Sequence, residues 1–296
     1  MQAAFKTVAL FGRQQSDDVA RTLLEIGQYL ARRGIRALYE PSLAAGLGRT
    51  DLDTASLAEA GRQADLAVIV GGDGTMIGIA RELAAHAVPL VGINFGRLGF
   101  ITDIALLRWP DALGAILDGQ YQAEDRTLLK ARVLRKTQGV FEATAVNDVV
   151  VSRSSRSGMI EVQVHVDDLY MYSQRADGLI VATPTGSTAY ALSCNGPILH
   201  PTLQGLVLVP VAPQALSNRP IVLPVGSAIS IAVTDGREPR INCDMQTFAD
   251  LQVGDVLQVR AAENGARFLH PVGYSYYATL RSKLNWHEMP NLGPRP

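Results

Sequence analysis

The chain has 296 residues and a formal net charge of −1, with 27 Lys and Arg against 28 Asp and Glu. It therefore lacks the surplus of clustered basic side chains that binding to duplex nucleic acid or to an anionic bilayer requires. The hydrophobic fraction of 47% and the charged fraction of 19% are those of an ordinary globular protein. We expect a folded chain of two domains with small-molecule partners, no nucleic-acid partner and no membrane partner.

No apolar run approaches the roughly 20 residues that a membrane span requires, and the stretch before Leu10 is too short for a signal peptide. These absences predict a cytoplasmic location. Cys194 and Cys243 are too few for a disulfide framework, and the five histidines lack the spacing of metal ligands. We expect no metal site built from these side chains.

The N-terminal part alternates between strand-like and helix-like patterns. Residues 6–11 predict a short strand, and Ser16 followed by two aspartates predicts the start of a helix. Strands at residues 65–70 and 90–93, with a helix at residues 76–85 between them, favour an open parallel α/β sheet. The first predicted helix has one apolar face, formed by Val19, Leu23, Ile26 and Leu30.

From about Leu129 the pattern changes to the two-residue period of half-buried strands, most clearly at residues 160–166. Residues 228–233 and 239–243 flank Asp235 and Gly236, which predicts a hairpin. The second half is therefore predicted to be mostly β. We expect an α/β domain at 1–125, a β-rich domain at 126–270 and a segment at 271–296 that returns to the first domain.

A glycine-rich stretch, Gly71-Gly72-Asp73-Gly74-Thr75, lies between a predicted strand and a predicted helix. Glycines at such a turn allow backbone N–H groups to approach phosphates at a helix N-terminus. The spacing is neither that of a dinucleotide fingerprint nor that of a Walker loop. Taken alone, the stretch is slightly better explained as a structural turn in which Asp73 caps the helix.

A second polar stretch, residues 177–190, surrounds a short apolar strand with five hydroxyl side chains and the carboxylate of Asp177. Hydroxyls can hold ribose and phosphate oxygens, and Tyr190 can contact a base. The alternative is a loop whose hydroxyls cap its own backbone, which composition alone favours. Asn147 and Asp148 add an amide and a carboxylate beside a strand.

Together these motifs resemble the NAD kinase family. The similarity covers Gly-Gly-Asp-Gly-Thr at 71–75, Gly-Ile-Asn-x-Gly-x-Leu-Gly-Phe at 92–100, Asn147-Asp148, residues 173–201 and Leu-Arg-Ser-Lys-Leu at 280–284. The Gly-Gly-Asp-Gly motif is shared with the related diacylglycerol kinases, sphingosine kinases and phosphofructokinases. The Thr-Pro-Thr-Gly-Ser-Thr-Ala-Tyr stretch at 183–190 narrows the resemblance to NAD kinases.

The resemblance implies transfer of the γ-phosphoryl group of ATP to the 2′-hydroxyl of the adenosine ribose of NAD, in a cleft between the two domains. It implies that Asp73 accepts the hydroxyl proton, and that phosphates bind at Gly71, Gly72, Gly74 and Thr75. The implied NAD contacts are Asp73, Gly74, Asn147, Asp148, Arg175, Asp177, Thr188, Ala189, Tyr190, Ala191, Leu192, Ser193, Ala212 and Gln246.

The resemblance also implies Mg²⁺ or another divalent cation as cofactor, and a homo-oligomer, either a dimer or a tetramer. Two other functions stay open at this point. A lipid kinase of the diacylglycerol type would share the Gly-Gly-Asp-Gly turn, although residues 183–193 offer little apolar surface for an acyl chain. A dinucleotide sensor without catalytic activity would share the binding residues, although Asp73 and its glycines argue against it.

Overall fold

The structure, a computed structural model, describes residues 5–12, 16–96, 99–154 and 158–286. The chain divides into two compact units. The first contains the residues up to Glu124 together with those from Arg267 onward, and the second runs from Asp125 to Ala266. None of the helices in these described ranges is long and apolar enough to cross a membrane.

Helices and strands are numbered here in chain order over the described residues. The helices are α1 (Asp17–Arg32), α2 (Pro41–Gly46), α3 (Leu57–Gln63), α4 (Asp73–Leu83), α5 (Trp109–Leu117), α6 (Tyr190–Ser193) and α7 (Tyr276–Leu284). The strands are β1 (Thr7–Gly12), β2 (Arg36–Tyr39), β3 (Leu66–Gly71), β4 (Leu90–Asn94), β5 (Ile104–Ala105), β6 (Tyr121–Arg126), β7 (Leu129–Arg135), β8 (Gln138–Ala145), β9 (Asp148–Ser152), β10 (Ile160–Val166), β11 (Leu169–Ala176), β12 (Gly178–Ala182), β13 (Gly205–Val211), β14 (Ile221–Pro224), β15 (Ile229–Asp235), β16 (Arg240–Cys243), β17 (Thr247–Asp250), β18 (Asp255–Ala261) and β19 (Ala266–Pro271).

The first unit is built on a sheet with the strand order β2-β1-β3-β4-β19-β6, and β5 pairs with β4 beside it. The pairings of β1 with β2 and β3, of β3 with β4, and of β4 with β19 are parallel. The predicted open parallel α/β sheet is confirmed. Because parallel strands end at one edge, the residues that follow β3 and β4 are neighbours there.

Helix α1 forms where the sequence predicted it. The side chain of Ser16 caps the helix by accepting a hydrogen bond from the Val19 N–H, and the predicted apolar face is buried against the sheet. The helix ends before Gly34, which has a φ of 71°, a left-handed conformation that glycine adopts without strain.

Residues 36–63 contain elements that the sequence analysis did not predict. Strand β2 has only four residues, and α2 and α3 are short. Helix α3 nevertheless carries a readable start signal, a capping box in which Ser56 and Glu59 satisfy each other's backbone N–H groups.

The second unit contains two antiparallel sheets, with the orders β11-β10-β15-β18-β7-β8 and β14-β13-β12-β9-β16-β17. Alternate residues of both sheets meet in one apolar core, which explains the two-residue period of the sequence and confirms a mostly β second half. Members of this core from both sheets include Val133, Val149, Val162, Leu179, Leu208, Ile231 and Leu257.

The predicted hairpin across Asp235 and Gly236 is wrong. Strand β15 pairs with β10 and β18, whereas β16 pairs with β9 and β17, so the two strands belong to different sheets. The turn is a crossover between sheets. The true hairpin joins β16 to β17 through Asp244 and Met245, both of which have positive φ, as in a type I′ turn.

The sheet that contains β9 and β12 is buried on both faces in its centre. One face packs in the core between the sheets, and the opposite face is covered by Ala191 of α6 and by Leu199. The covered residues on that opposite face are Val150, Ile180, Ala182, Val207 and Val209. The polar stretch that follows β12 therefore begins at a strand that is packed on both faces.

Candidate functional site

The glycine-rich turn connects β3 to α4 at the carboxyl edge of the parallel sheet. Gly71 ends the strand, Gly72 is the N-cap and Asp73 is the first residue of the helix. A Cβ at Gly71 would lie 2.9 Å from the hydroxyl oxygen of Thr75, whereas Cβ atoms at Gly72 and Gly74 would meet no atom within 4 Å. Glycine at 71 is required by packing, while glycine at 72 and 74 leaves the main chain accessible.

The carboxylate of Asp73 is directed at the segment after β4. Its Oδ2 accepts a hydrogen bond from the Phe100 N–H at 2.7 Å, and its Oδ1 accepts from the Ile101 N–H at 3.2 Å. Thr102 donates to Oδ1 twice, from its N–H at 3.2 Å and from its hydroxyl at 2.9 Å. The explanation of Asp73 as a helix cap is not supported, because Gly72 occupies the cap and the carboxylate binds elsewhere.

In the second unit, the strand pairings place three polar segments at one end of a sheet. Asp148 pairs with Ala182, and Val149 pairs with Cys243, in antiparallel register. Asn147 and Asp148 at the start of β9, the stretch after β12 and the turn after β16 are consequently neighbours.

Asp244 holds this corner together, and the sequence analysis missed it. Its carboxylate accepts hydrogen bonds from the N–H groups of Val146 at 2.8 Å, Asn147 at 2.7 Å and Asp148 at 3.1 Å. The positive φ of Asp244 turns the chain so that this side chain faces the start of β9. An aspartate directly after a strand was the available signal, but its partners lie about a hundred residues away.

Asp148 is a buried carboxyl group with only 2% of its surface exposed. Burial and, to a smaller extent, the nearby negative charge of Asp244 together raise the pKa of Asp148 to about 7. Among the described residues, no group makes a hydrogen bond to its Oδ1. At neutral pH this carboxyl therefore exists in both protonation states, and it can donate as well as accept a hydrogen bond.

In the loop after β12, three hydroxyls donate to backbone carbonyls. Thr183 donates to the Val146 carbonyl at 2.6 Å, Ser187 donates to the Pro184 carbonyl at 2.6 Å, and Thr188 donates to the Thr185 carbonyl at 3.1 Å. The alternative interpretation, in which the hydroxyls cap local backbone, describes the contacts of Ser187 with Pro184 and of Thr188 with Thr185, whereas Thr183 binds a carbonyl 37 residues away. The loop is shaped by these hydrogen bonds, and Thr188 and Ala189 at its end are half-buried.

Tyr190 is the first residue of α6 and follows the loop after β12. Burial raises the pKa of Tyr190, and its interactions with Cys194, Asp177 and Asp148 raise it further. Asp177 precedes β12 and forms a two-point ion pair with Arg153, at 2.7 Å from Nε and 3.4 Å from Nη2.

The remaining predicted residues of this unit are more dispersed. Ser193 and Ala212 line a common cavity of about 520 Å³. Arg175 is exposed on β11, in the other sheet, and Gln246 is exposed in the turn before β17. Of the other α6 residues, Ala191 is buried in the core beneath the loop and Leu192 is half-buried.

No group of three or more His, Cys, Asp or Glu side chains in the described ranges is arranged to hold a metal ion. Mg²⁺ in phosphoryl transfer is commonly held by one or two carboxylates together with substrate phosphates, and a single carboxylate at the glycine-rich turn fits that pattern.

Comparison with known proteins gives consistent matches along the chain. Residues 8–122 match the family model described as the ATP-NAD kinase N-terminal domain, and residues 146–271 match the model described as the ATP-NAD kinase C-terminal domain. The chain is 54% identical over 287 residues to the NAD kinase of Burkholderia thailandensis, covering 97% of this chain and 96% of that protein. It is 54% identical over 286 residues to the NAD kinase of Ralstonia nicotianae, covering 97% and 95%.

Two solved structures share the fold. Yeast NADH kinase complexed with NADH superposes with a TM-score of 0.89 at 21% identity, covering 99% of this chain and 94% of that chain. An NAD kinase from Archaeoglobus fulgidus in complex with ATP superposes with a TM-score of 0.74 at 24% identity, covering 94% and 98%.

We expect the substitution Asp148→Asn to make stability less dependent on pH. The folded-state pKa of Asp148 is raised from 3.8 to about 7, so the unfolded state loses this proton first and wild-type stability falls as pH rises between these values. We subtract the free energy of unfolding of the wild type from that of Asp148→Asn. This difference should rise by about 2 to 3 kcal/mol between pH 5 and pH 8, because only the wild type loses stability through this group. Urea unfolding at both pH values measures this difference, with Asp168→Asn, an exposed aspartate of the same unit, as the control.

The substitution Asp244→Ala should destabilise the second unit, because three backbone N–H groups lose a charged acceptor. We expect the free energy of unfolding to fall by about 3 kcal/mol and amide hydrogen exchange at residues 146–148 to accelerate. Asp250→Ala on the same hairpin removes only an exposed ion pair with Arg240 and should cost less than about 1 kcal/mol. Equal losses for the two variants would contradict the role of Asp244.

Proposed function

This chain belongs to the ATP-NAD kinase family, and we propose that it transfers the γ-phosphoryl group of ATP to the 2′-hydroxyl of the adenosine ribose of NAD, giving NADP and ADP. The observation that carries the proposal is the 54% identity to NAD kinases over nearly the whole chain, together with matches to both domain models of the family.

The glycine-rich turn is suited to the phosphates of ATP. Helix α4 begins at this turn, so its first N–H groups carry the positive end of the helix dipole. Gly72 and Gly74 have no side chains to shield those N–H groups. We propose that Gly71, Gly72, Gly74 and Thr75 form the phosphate-binding segment.

Asp73 is the proposed proton acceptor. As the new bond forms between the ribose O2′ and the γ-phosphorus, the bond from that phosphorus to the β–γ bridging oxygen breaks, and the hydroxyl proton must leave. The carboxylate Oδ2 can take this proton, since among the described residues it accepts only the Phe100 N–H. Base catalysis of this kind contributes a factor of about 10² to 10⁴, so alignment of the substrates supplies much of the remaining rate.

The second unit is the proposed NAD-binding part. Its support is the corner where Asn147 and Asp148 adjoin the loop after β12. Carboxyl groups suit the hydroxyls of a ribose, and a carboxyl that retains its proton near pH 7 can also donate to a ligand oxygen. The proposed NAD contacts in this unit are Asn147, Asp148, Arg175, Asp177, Thr188, Ala189, Tyr190, Ala191, Leu192, Ser193, Ala212 and Gln246.

Three further properties belong to the same proposal. Mg²⁺ or a similar divalent cation would arrive with the ATP phosphates and neutralise charge during transfer. A homo-oligomeric state, dimer or tetramer, is testable by sedimentation velocity, and the expected cytoplasmic location is testable by cell fractionation. Neither the oligomeric state nor the location is needed for the chemistry assigned to Asp73.

The two alternative functions are not favoured. The relatives that match over nearly the full length carry the name NAD kinase, which argues against a lipid acceptor. A sensor without catalytic activity would have no need of an acidic side chain held by four hydrogen bonds at the phosphate-binding turn.

We expect Asp73→Asn to lower kcat at least about a hundredfold, because the amide cannot accept the hydroxyl proton. The KM for NAD should change little. The assay incubates the purified protein with ATP, Mg²⁺ and NAD and quantifies NADP; parallel reactions with NADH and with a diacylglycerol define the acceptor.

Asp65→Asn is the matched control for this substitution. The Asp65 carboxylate also binds backbone N–H groups, those of Lys6 and Thr7, but at the opposite end of β3. It should lower the melting temperature while kcat stays near wild type. Near-wild-type turnover of Asp73→Asn would remove Asp73 from the proposed role, and phosphorylation of the diacylglycerol alone would contradict the proposed acceptor.

A further inference from the structure

The hydrogen bonds to Asp73 are divided unequally between its two carboxylate oxygens. Oδ1 accepts three, from the Ile101 N–H, the Thr102 N–H and the Thr102 hydroxyl. Oδ2 accepts one, from the Phe100 N–H, among the described residues. A carboxylate oxygen has about two lone pairs, so Oδ1 is saturated and Oδ2 retains capacity.

We propose that Thr102, with its hydroxyl oriented by Asn94 and with space provided by Gly99, is the positioning residue that fixes the Asp73 carboxylate and leaves Oδ2 free for the substrate hydroxyl. This inference rests on the proposed function, since it assigns a geometry to the proton acceptor named there.

The donor and the acceptor of each hydrogen bond in the series Asn94–Thr102–Asp73 can be assigned from the chemistry of the three side chains. An ionised carboxylate only accepts, so the Thr102 hydroxyl must donate its single proton to Asp73. The hydroxyl oxygen must then accept from Asn94, which fixes the Asn94 amide with its Nδ2 towards Thr102, at 2.9 Å. Any other orientation of the amide would leave the hydroxyl proton shared between two acceptors.

The surroundings keep this arrangement rigid. The Thr102 residue is fully buried and Asn94 is 3% exposed, so water cannot easily replace either hydrogen bond, and such bonds are stronger in a low-dielectric environment. Asn94 ends β4 and thereby ties the chain of hydrogen bonds to the central parallel sheet.

Two glycines permit the close approach that the contact requires. A Cβ on Gly99 would lie 1.9 Å from Asp73 Oδ1 and 2.3 Å from the Thr102 hydroxyl oxygen. A Cβ on Gly92 would lie 3.0 Å from the Thr102 Cα and from the Ile101 carbonyl oxygen. Gly99 therefore makes room for the carboxylate, and Gly92 allows the segment 101–102 to pack on β4.

The experiment is a double-mutant cycle between Thr102→Val and Asp73→Asn in the full-length protein. Thr102→Val removes the hydroxyl with little change of shape, and we expect kcat to fall about 10- to 100-fold, as a misplaced catalytic group does. The KM values for NAD and ATP should stay within about threefold. In the Asp73→Asn background, the same substitution should lower kcat by less than about threefold, because both changes act through one carboxylate.

Rescue and control variants separate positioning from general stability. Thr102→Ser retains the hydroxyl and should keep kcat within about threefold of wild type. Thr22→Val removes a comparably buried hydroxyl, which donates to the Asp18 carbonyl in α1, and should change melting temperature but not kcat. If Thr102→Val does not fold, Gly99→Ala takes its place in the cycle, with the same expected loss and the same lack of additivity.

The outcomes distinguish this inference from the proposed function. Wild-type kcat for Thr102→Val, or independent additive losses in the double mutant, would overturn the positioning role while an impaired Asp73→Asn leaves the proposed function intact. A near-wild-type Asp73→Asn would overturn the proton acceptor itself. A rise in KM without a change in kcat would assign Thr102 to substrate binding and would also overturn the inference.

Discussion

The hydrogen bonds between the Asp73 carboxylate and the backbone of residues 100–102 are the contacts on which the proposed chemistry of the first unit depends. The parallel sheet brings the ends of β3 and β4 to one edge, and the hydrogen bonds fasten the glycine-rich turn to the segment beyond β4. The partly buried carboxylate is stabilised by the four donors that surround it. The same donors leave Oδ2 with capacity for a further hydrogen bond, so the bonds that stabilise the turn would also position the proposed base.

In the second unit, too, an aspartate accepts several backbone N–H groups. Asp244 gathers three N–H groups at the start of β9 and thereby creates the place where Asp148 is buried with a raised pKa. The hydroxyls of the loop after β12 are used to shape that loop. In both units, polar side chains near the candidate site form hydrogen bonds with main-chain groups.

The sequence predicted local features well and distant partners poorly. Helix α1, the strands around the glycine-rich turn and the two-residue period of the second half follow from patterns of neighbouring residues, and the fold class was confirmed. The hairpin prediction failed because Asp235-Gly236 has favoured turn residues, whereas the true turn at Asp244-Met245 holds a methionine at positive φ. The roles of Thr102 and Asp244 depend on partners 29 and about a hundred residues away, which no local pattern encodes.

The family resemblance supplied what local patterns could not, since it joined motifs from both halves of the chain into one reaction. The most direct test of Asp73 as the proton acceptor is a crystal structure of the protein with NAD and a non-hydrolysable ATP analogue. If Asp73 is the proton acceptor, its Oδ2 will lie within about 2.6 to 3.2 Å of the adenosine ribose O2′, and that oxygen will be in line with the γ-phosphorus. A ribose O2′ beyond hydrogen-bonding reach of Asp73, in a complex with both nucleotides bound, would contradict this role.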